Sequence, residues 1–255
     1  MIIRNGLVID PLTGREEKAD IVIEAGKIVK ISPVGQVESL NDTEINAEGM
    51  VVAPGLVDVH VHFRDPGFIY KEDIETGAKA ALAGGFTSVV LMANTKPAVD
   101  NKETLSYVIE KGKTTDLRVY TCAAVTKGLG GKEMVDVTGL FDKGAVGFTD
   151  DGIPIMDADL MRKAMEETAK LQVPISLHEE DPSLITNNGI NRGVASEYFG
   201  IGGSPREAEI TLIERDLQLA LETGAILNIQ HISTKEGVEL VRKAKNDPRG
   251  KNIHA

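Results

Sequence analysis

The chain has 255 residues, with 28 lysines and arginines against 39 aspartates and glutamates, for a formal net charge of −11. Hydrophobic residues at 42% supply a sizeable core, and charged residues at 26% mark an ordinary globular protein rather than a disordered chain. The acidic balance argues against nucleic acid or an anionic membrane as a partner. No apolar run reaches the roughly 18 residues of a membrane span. The single Cys122 excludes an internal disulfide framework and a thiolate zinc cluster. Residues 1–6 lack the apolar core of a signal peptide, so the cytoplasm is the expected compartment. Any metal must then be held by histidine and carboxylates.

In chain order, residues 1–54 read as a first domain, a small antiparallel β module without a helix. Short β-branched runs at 2–10 and 19–24 flank the turn Pro11-Leu12-Thr13-Gly14, and Ala25-Gly26-Lys27 follows as a hairpin connection. The runs at 28–31 and 43–45 continue the pattern. So few strands bury little by themselves, so the module needs the rest of the protein as cover.

Residues 55–255 form the second domain, in which apolar strand runs alternate with amphipathic helical runs. The expected strands are 57–61, 87–92, 117–123, 145–148, 173–177 and 225–230, with a seventh beginning at 252–255. Helices are expected at 157–171, 205–223 and 234–246, with Asp157 as an N-cap and Ser204-Pro205-Arg206-Glu207 as a capping box with proline at the first helical position. The stretch 181–203 is longer than the other connections, rich in Asn and Gly, and reads as a substrate-side loop. Parallel strands that close do so as eight, in a (β/α)8 barrel. Six complete units with a seventh starting therefore imply an incomplete barrel, and the chain is expected to be a fragment.

Four of the five histidines fall at the C-terminal ends of expected strands: His60, His62, His178 and His231. On an extended chain His60 and His62 point to one face, so both imidazoles can share a cation. The pair Asp150-Asp151 ends the fourth strand. A single strand-end histidine is an ordinary polar residue, and Asp-Gly after a strand is an ordinary turn. Their convergence on one face is the signal. Four imidazoles exceed what one tetrahedral zinc with an open position needs, whereas two cations bridged by a carboxylate use them all. Either Asp150 or Asp151 can bridge, and spacing does not choose. Arg64, two residues past His62, can grip a substrate carboxylate through two hydrogen bonds, and Asn94 offers a donor and an acceptor at the end of the second strand. His254 and Cys122 are read as structural, and Gly128-Leu129-Gly130-Gly131 as a turn, since it lacks the lysine and hydroxyl of a phosphate loop.

Asp58-x-His60-x-His62-Phe63-Arg64-Asp65-Pro66-Gly67, with Met92-Ala93-Asn94-Thr95 and Phe148-Thr149-Asp150-Asp151-Gly152, resembles dihydroorotase of the long bacterial class, within the amidohydrolase superfamily. The resemblance covers essentially the whole chain. It implies a metal-dependent (β/α)8 barrel with a β-sandwich built from both chain ends. It also implies two zinc ions and the reversible cyclisation of N-carbamoyl-L-aspartate to L-dihydroorotate in pyrimidine synthesis. Carried over, His60 and His62 bind one zinc, His178 and His231 the second, and Asp151 bridges them. His62, Arg64 and Asn94 contact substrate. The family's Met-Pro-Asn-Thr reads Met-Ala-Asn-Thr here, and its D-x-A-P-H motif, which supplies the aspartate that carries the proton, lies beyond Ala255. The chain 1–255 alone is therefore expected to be inactive. The alternatives are another cyclic amidase (a hydantoinase or allantoinase) and a non-catalytic homologue serving as a structural partner of aspartate transcarbamoylase. Further copies of the chain are the other expected partner.

Overall fold

The computed structural model describes residues 1–38, 43–187 and 189–255. The chain divides into two compact units, Met1–Leu56 and Val57–Ala255.

In the first unit, β1 (Ile2–Asp10), β2 (Arg15–Glu24) and β3 (Lys27–Pro33) form an antiparallel meander. The β2–β3 turn has two residues, Ala25 and Gly26, both with positive φ (48° and 74°), the conformation that matches the twist of a tight hairpin. The expectation of an all-antiparallel module needs correction. β4 (Glu44–Asn46) and β5 (Val51–Val52) both pair parallel with β1, giving a five-stranded mixed sheet. Val8, Ala19 and Ile21 form its small buried cluster. Among the described residues the module is one sheet, and the second layer of a sandwich is not present.

The second unit carries the βα repeat. Its elements are β6 (Leu56–Val61), which begins at the last residue of the first unit, α1 (Ile74–Ala83), β7 (Phe86–Leu91), α2 (Lys102–Gly112), β8 (Arg118–Thr121), α3 (Val137–Lys143), α4 (Ala158–Leu171), β9 (Pro174–Leu177), α5 (Val194–Phe199), α6 (Glu207–Thr223), β10 (Ile226–Ile229), α7 (Lys235–Asn246) and β11 (Ile253–His254). The strands run side by side in sequence order. β6 lies beside β7, and β7 pairs parallel with β8. Parallel bridges Ala123–Phe148 and Phe148–Ile175 then carry the run to β9, and β10 and β11 complete it. The fourth expected strand, 145–148, is thus reduced to bridging contacts around Phe148. Gly147 allows this close pairing, because a Cβ there would crowd the Pro174 carbonyl and the Cys122 sulfur. The run does not close into a ring among the described residues.

One continuous core joins the strands to the helices. Val89, Leu91, Phe148, Ile175, Leu227 and Ile229 from the strands meet Leu105, Leu140, Met165, Ile213 and Leu217 from the helices. Asp157 caps α4 as expected, its side chain accepting from the amides of Asp159 and Leu160. The capping box at Ser204 does not form. α6 starts at Glu207 with Arg206 at the cap and no side-chain cap bond, and the Ser204 N–H that a Glu207 side chain would take in such a box is bonded instead to the Ile190 carbonyl. The stretch 181–203, apart from residue 188, which lies outside the described residues, is not a plain loop. It holds a 3-10 turn at Pro182–Leu184 and the short helix α5.

Candidate metal centre

The parallel order of the strands brings their C-terminal ends to one face, and the residues singled out in the sequence follow from there. His60 is on β6 and His62 just beyond it, His178 follows β9, and His231 follows β10. The Asp150-Asp151 pair follows the Phe148 bridge. Adjacent residues leave an extended chain in opposite directions, and the two aspartates part accordingly. Asp150 turns away from the histidines. It accepts from the amides of Val125 (2.8 Å) and Thr126 (3.1 Å) and from the Thr126 hydroxyl. It pins the β8 connection, and burial pushes its carboxyl up from the usual range.

Asp151 turns toward the imidazoles and lies at their centre. Its Oδ1 is 3.6 Å from His60 Nε2, 3.7 Å from His178 Nδ1 and 3.5 Å from His231 Nε2, while Oδ2 is 3.5 Å from His62 Nε2. The imidazoles form two pairs, His60 Nε2 to His62 Nε2 at 3.0 Å and His178 Nδ1 to His231 Nε2 at 3.0 Å. Two ligands of one tetrahedral zinc, at bond lengths of about 2.0–2.1 Å, stand about 3.3 Å apart, so each pair is spaced as a shared cation requires.

Two neighbours select which nitrogen of a ring is free. His62 Nδ1 stands 2.9 Å from Asn94 Oδ1, and Asn94 Nδ2 faces the Asp151 backbone oxygen (3.3 Å) and Oδ2 (3.2 Å). An amide oxygen only accepts, so Nδ1 of His62 carries the proton and Nε2 keeps its lone pair. His178 Nε2 stands 3.3 Å from Glu180 Oε2, which leaves Nδ1 free by the same logic. The lone pairs of both rings therefore point at Asp151.

For Asp151 and His60 the electrostatics agree. Burial pushes the Asp151 carboxyl up, but its interactions with His231 and the other three imidazoles outweigh that and hold the carboxyl below its ordinary value. Burial lowers the pKa of His60, favouring the neutral ring that a metal needs. His231 runs the other way, since its interaction with Asp151 raises its pKa and favours the charged ring until a cation takes the proton's place. Asp151 Oδ1 is buried without a hydrogen-bond partner. An orphaned carboxylate oxygen ringed by imidazole nitrogens fits a divalent cation and fits little else. His60, Asp151 and His231 by themselves offer ligand atoms within 4.8 Å of one another.

Of the remaining expected residues, Asn94 is brought into the cluster, with both ends of its amide engaged there. Arg64 is held with φ 58° in the left-handed region, and its guanidinium makes no hydrogen bond or ion pair among the described residues. The loop that carries it is anchored by Asp65, which is fully buried and accepts from Tyr107 Oη (2.9 Å), the Ile74 amide (3.3 Å) and Lys111 Nζ (2.5 Å). Gly67, with φ 94°, lets this loop run against the Lys96 carbonyl, where any Cβ would collide. His254 is exposed on β11, outside the cluster.

Sequence reading missed Glu180, although its position two residues past His178 is the same period-two signal that paired His60 with His62. It also missed a buried charged group under the site. Arg215 pairs with Asp216 through two bonds of 2.8 Å and donates to the carbonyls of Ile155 (2.8 Å) and Met156 (3.0 Å). Glu179 lies beside Asp216, and burial and that neighbouring charge push its carboxyl well above the usual range. A cavity of about 260 Å³ opens beside His178 and His231, lined also by Asn191, Arg192, Ser204 and Glu209.

Residues 49–237 match the family model for dihydro-orotase-like proteins. The chain belongs to the dihydroorotase-like family. Within it, the chain is 52% identical over 247 residues to a dihydroorotase of Clostridioides difficile, covering 96% of this chain and 58% of that protein. A dihydroorotase of Clostridium acetobutylicum is 50% identical over 256 residues, covering 100% of this chain and 59% of that protein. The chain thus spans a little under three-fifths of the length of these dihydroorotases. Among solved structures, an L-hydantoinase from Arthrobacter aurescens superposes with a TM-score of 0.80 at 24% identity, covering 99% of this chain and 57% of its own. A D-hydantoinase does so with a TM-score of 0.78 at 20% identity, covering 99% and 56%. This member of the dihydroorotase-like family therefore shares the fold of the hydantoinases.

Proposed function

We propose that the protein to which this chain belongs is a zinc-dependent dihydroorotase, interconverting N-carbamoyl-L-aspartate and L-dihydroorotate in pyrimidine synthesis. The observation that carries the reading is the buried Asp151 carboxylate, with an unpartnered oxygen, at the meeting point of two close imidazole pairs. His60 and His62 would hold one cation, His178 and His231 the other, and Asp151 would bridge. When bound, such cations make water nucleophilic at neutral pH and polarise the reacting carbonyl. The chain's own residues do the rest. Asn94 and Glu180 orient two of the imidazoles, and the unpaired Arg64 guanidinium is available to hold the substrate carboxylate in a bidentate grip. The group that moves the proton to and from the ring nitrogen would come from the part of the protein beyond Ala255. That part would also close the barrel against β6, whose Val57 and Val59 are 60% and 53% exposed, and complete a sandwich with the N-terminal sheet.

Among the described residues no helix is long and apolar enough to cross a membrane. Assembly with further copies, or with aspartate transcarbamoylase, belongs to the same proposal and is tested by sizing the full-length protein alone and with that enzyme. A cyclic amidase of hydantoinase type is the second reading, since the fold is shared with hydantoinases. The test is metal content and substrate choice of the full-length protein. About two zinc ions per chain with turnover of dihydroorotate and not of hydantoin supports the first reading. Turnover of hydantoin alone replaces it with the second.

A further inference from the structure

The first turn of α6 is bonded to the segments that follow both imidazoles of the second pair. His231 has φ 37°, in the left-handed region, a conformation that a non-glycine residue keeps only when its surroundings over-determine it. The determining contacts lie two and three residues on. The Ser233 amide donates to Glu209 Oε1 at 2.8 Å, the Ser233 hydroxyl to the same oxygen at 3.1 Å, and the Thr234 amide to Glu209 Oε2 at 2.8 Å. Both carboxylate oxygens of Glu209 are thereby spent on the segment that follows His231. Thr234 in turn caps α7, its hydroxyl accepting from the Gly237 amide at 3.0 Å, so the segment is held at both ends.

Glu209 is itself fixed. It lies in the first turn of α6, whose Ala208, Leu212 and Ile213 are buried in the core. The same turn receives the chain leaving His178, because the Asp181 amide donates to the Ala208 carbonyl at 2.8 Å. One helical turn therefore holds the chain just after both imidazoles, whose strands the Gln230 amide to Leu177 carbonyl bond (3.1 Å) sets side by side. Only an acceptor with two free oxygens can take two amides and a hydroxyl at once. A glutamine there would set its NH2 against one of the backbone N–H groups.

We propose that Glu209 is the positioning residue of the second metal subsite: it acts through the Ser233–Thr234 segment that engages both its oxygens, and holds His231 in its strained conformation opposite His178. The inference rests on the two-cation reading above. Its test uses the full-length protein, stripped of metal and titrated separately with zinc and with cobalt(II), as wild type, Glu209→Gln and Glu209→Ala. Stoichiometry, the affinity for each cation and the visible cobalt spectrum are read. Removing a partner that orients a metal ligand costs about 10- to 100-fold in affinity. Glu209→Ala should lose about tenfold for one cation, with a changed cobalt absorption, and keep wild-type affinity for the other. Glu209→Gln, which preserves side-chain volume and one acceptor, should fall between. If Glu209→Ala does not fold, Glu209→Gln decides by the same readouts. Two cations bound with wild-type affinities and spectrum in the variants would overturn the role of Glu209 alone. Fewer than two cations in the wild type would overturn the two-cation reading, and this role with it.

Discussion

The ion pair under the Arg64 loop is unequal in its burial, and that inequality predicts which partner matters more. The Asp65 side chain is 0% exposed, whereas Lys111, 2.5 Å away, is 34% exposed. Replacing Lys111 by methionine leaves a carboxylate in the interior with only the Tyr107 hydroxyl and the Ile74 amide. Orphaning a buried charge costs about 3–5 kcal/mol. Replacing Asp65 by asparagine orphans an ammonium that can turn to water. What is lost there is the charge-assisted part of the hydrogen bonding, about 1.5–3 kcal/mol. Tyr107→Phe removes one neutral donor and should cost about 0.5–1.5 kcal/mol. The expected order of destabilisation is therefore Lys111→Met, then Asp65→Asn, then Tyr107→Phe. Urea and thermal unfolding of the full-length protein would measure it. If Asp65→Asn proves as damaging as Lys111→Met, the burial argument fails, and the anchor works through shape rather than charge.

Three further outcomes are expected. Asn94→Ala should weaken metal binding by about 10- to 100-fold, since it frees the His62 tautomer. A pure rise in KM with unchanged metal affinity would instead assign Asn94 to substrate alone. Arg64→Met should lower kcat/KM for dihydroorotate by at least about 2 kcal/mol, roughly 30-fold, with metal content unchanged, and an unaltered rate would remove the carboxylate grip. Glu179, raised well above 4.5 by burial and by Asp216, is held protonated more firmly in the folded than in the unfolded chain. Its contribution to stability is full below about pH 4.5 and is lost as pH rises through the folded value. Glu179→Gln should thus raise the melting temperature more at pH 8 than at pH 5, and a gain independent of pH would refute the assignment.

Much of the centre was legible because two periodicities are local. A strand alternates every residue, so His60 and His62 had to share a face, and parallel βα units had to bring their C-terminal ends together. The resemblance carried by the H-x-H-F-R-D-P-G string agreed with the family match over residues 49–237. Glu180 was readable by the same alternation and was overlooked. Other features left no local trace. The parallel pairing of β4 and β5 with β1 joins segments tens of residues apart, and nothing in three residues such as Glu44–Asn46 announces its partner. The capping signal at Ser204 was sound in isolation, but the Ser204 N–H that completes such a box is bonded to the Ile190 carbonyl instead.

The sequence by itself therefore determined the repeat, the donor types and the strand ends on which they sit, since each depends on neighbours a few residues away. Only the tertiary structure turned Asp151 toward the imidazoles and Asp150 away from them. Both are acidic and adjacent, and which way each turns depends on the phase in which Phe148 docks between Ala123 and Ile175. The same structure turned Asn94 onto His62 and Asp151, and clasped the chain after His231 to Glu209. Those outcomes rest on hydrogen bonds between elements far apart in the chain, whose geometry exists only once the core has packed.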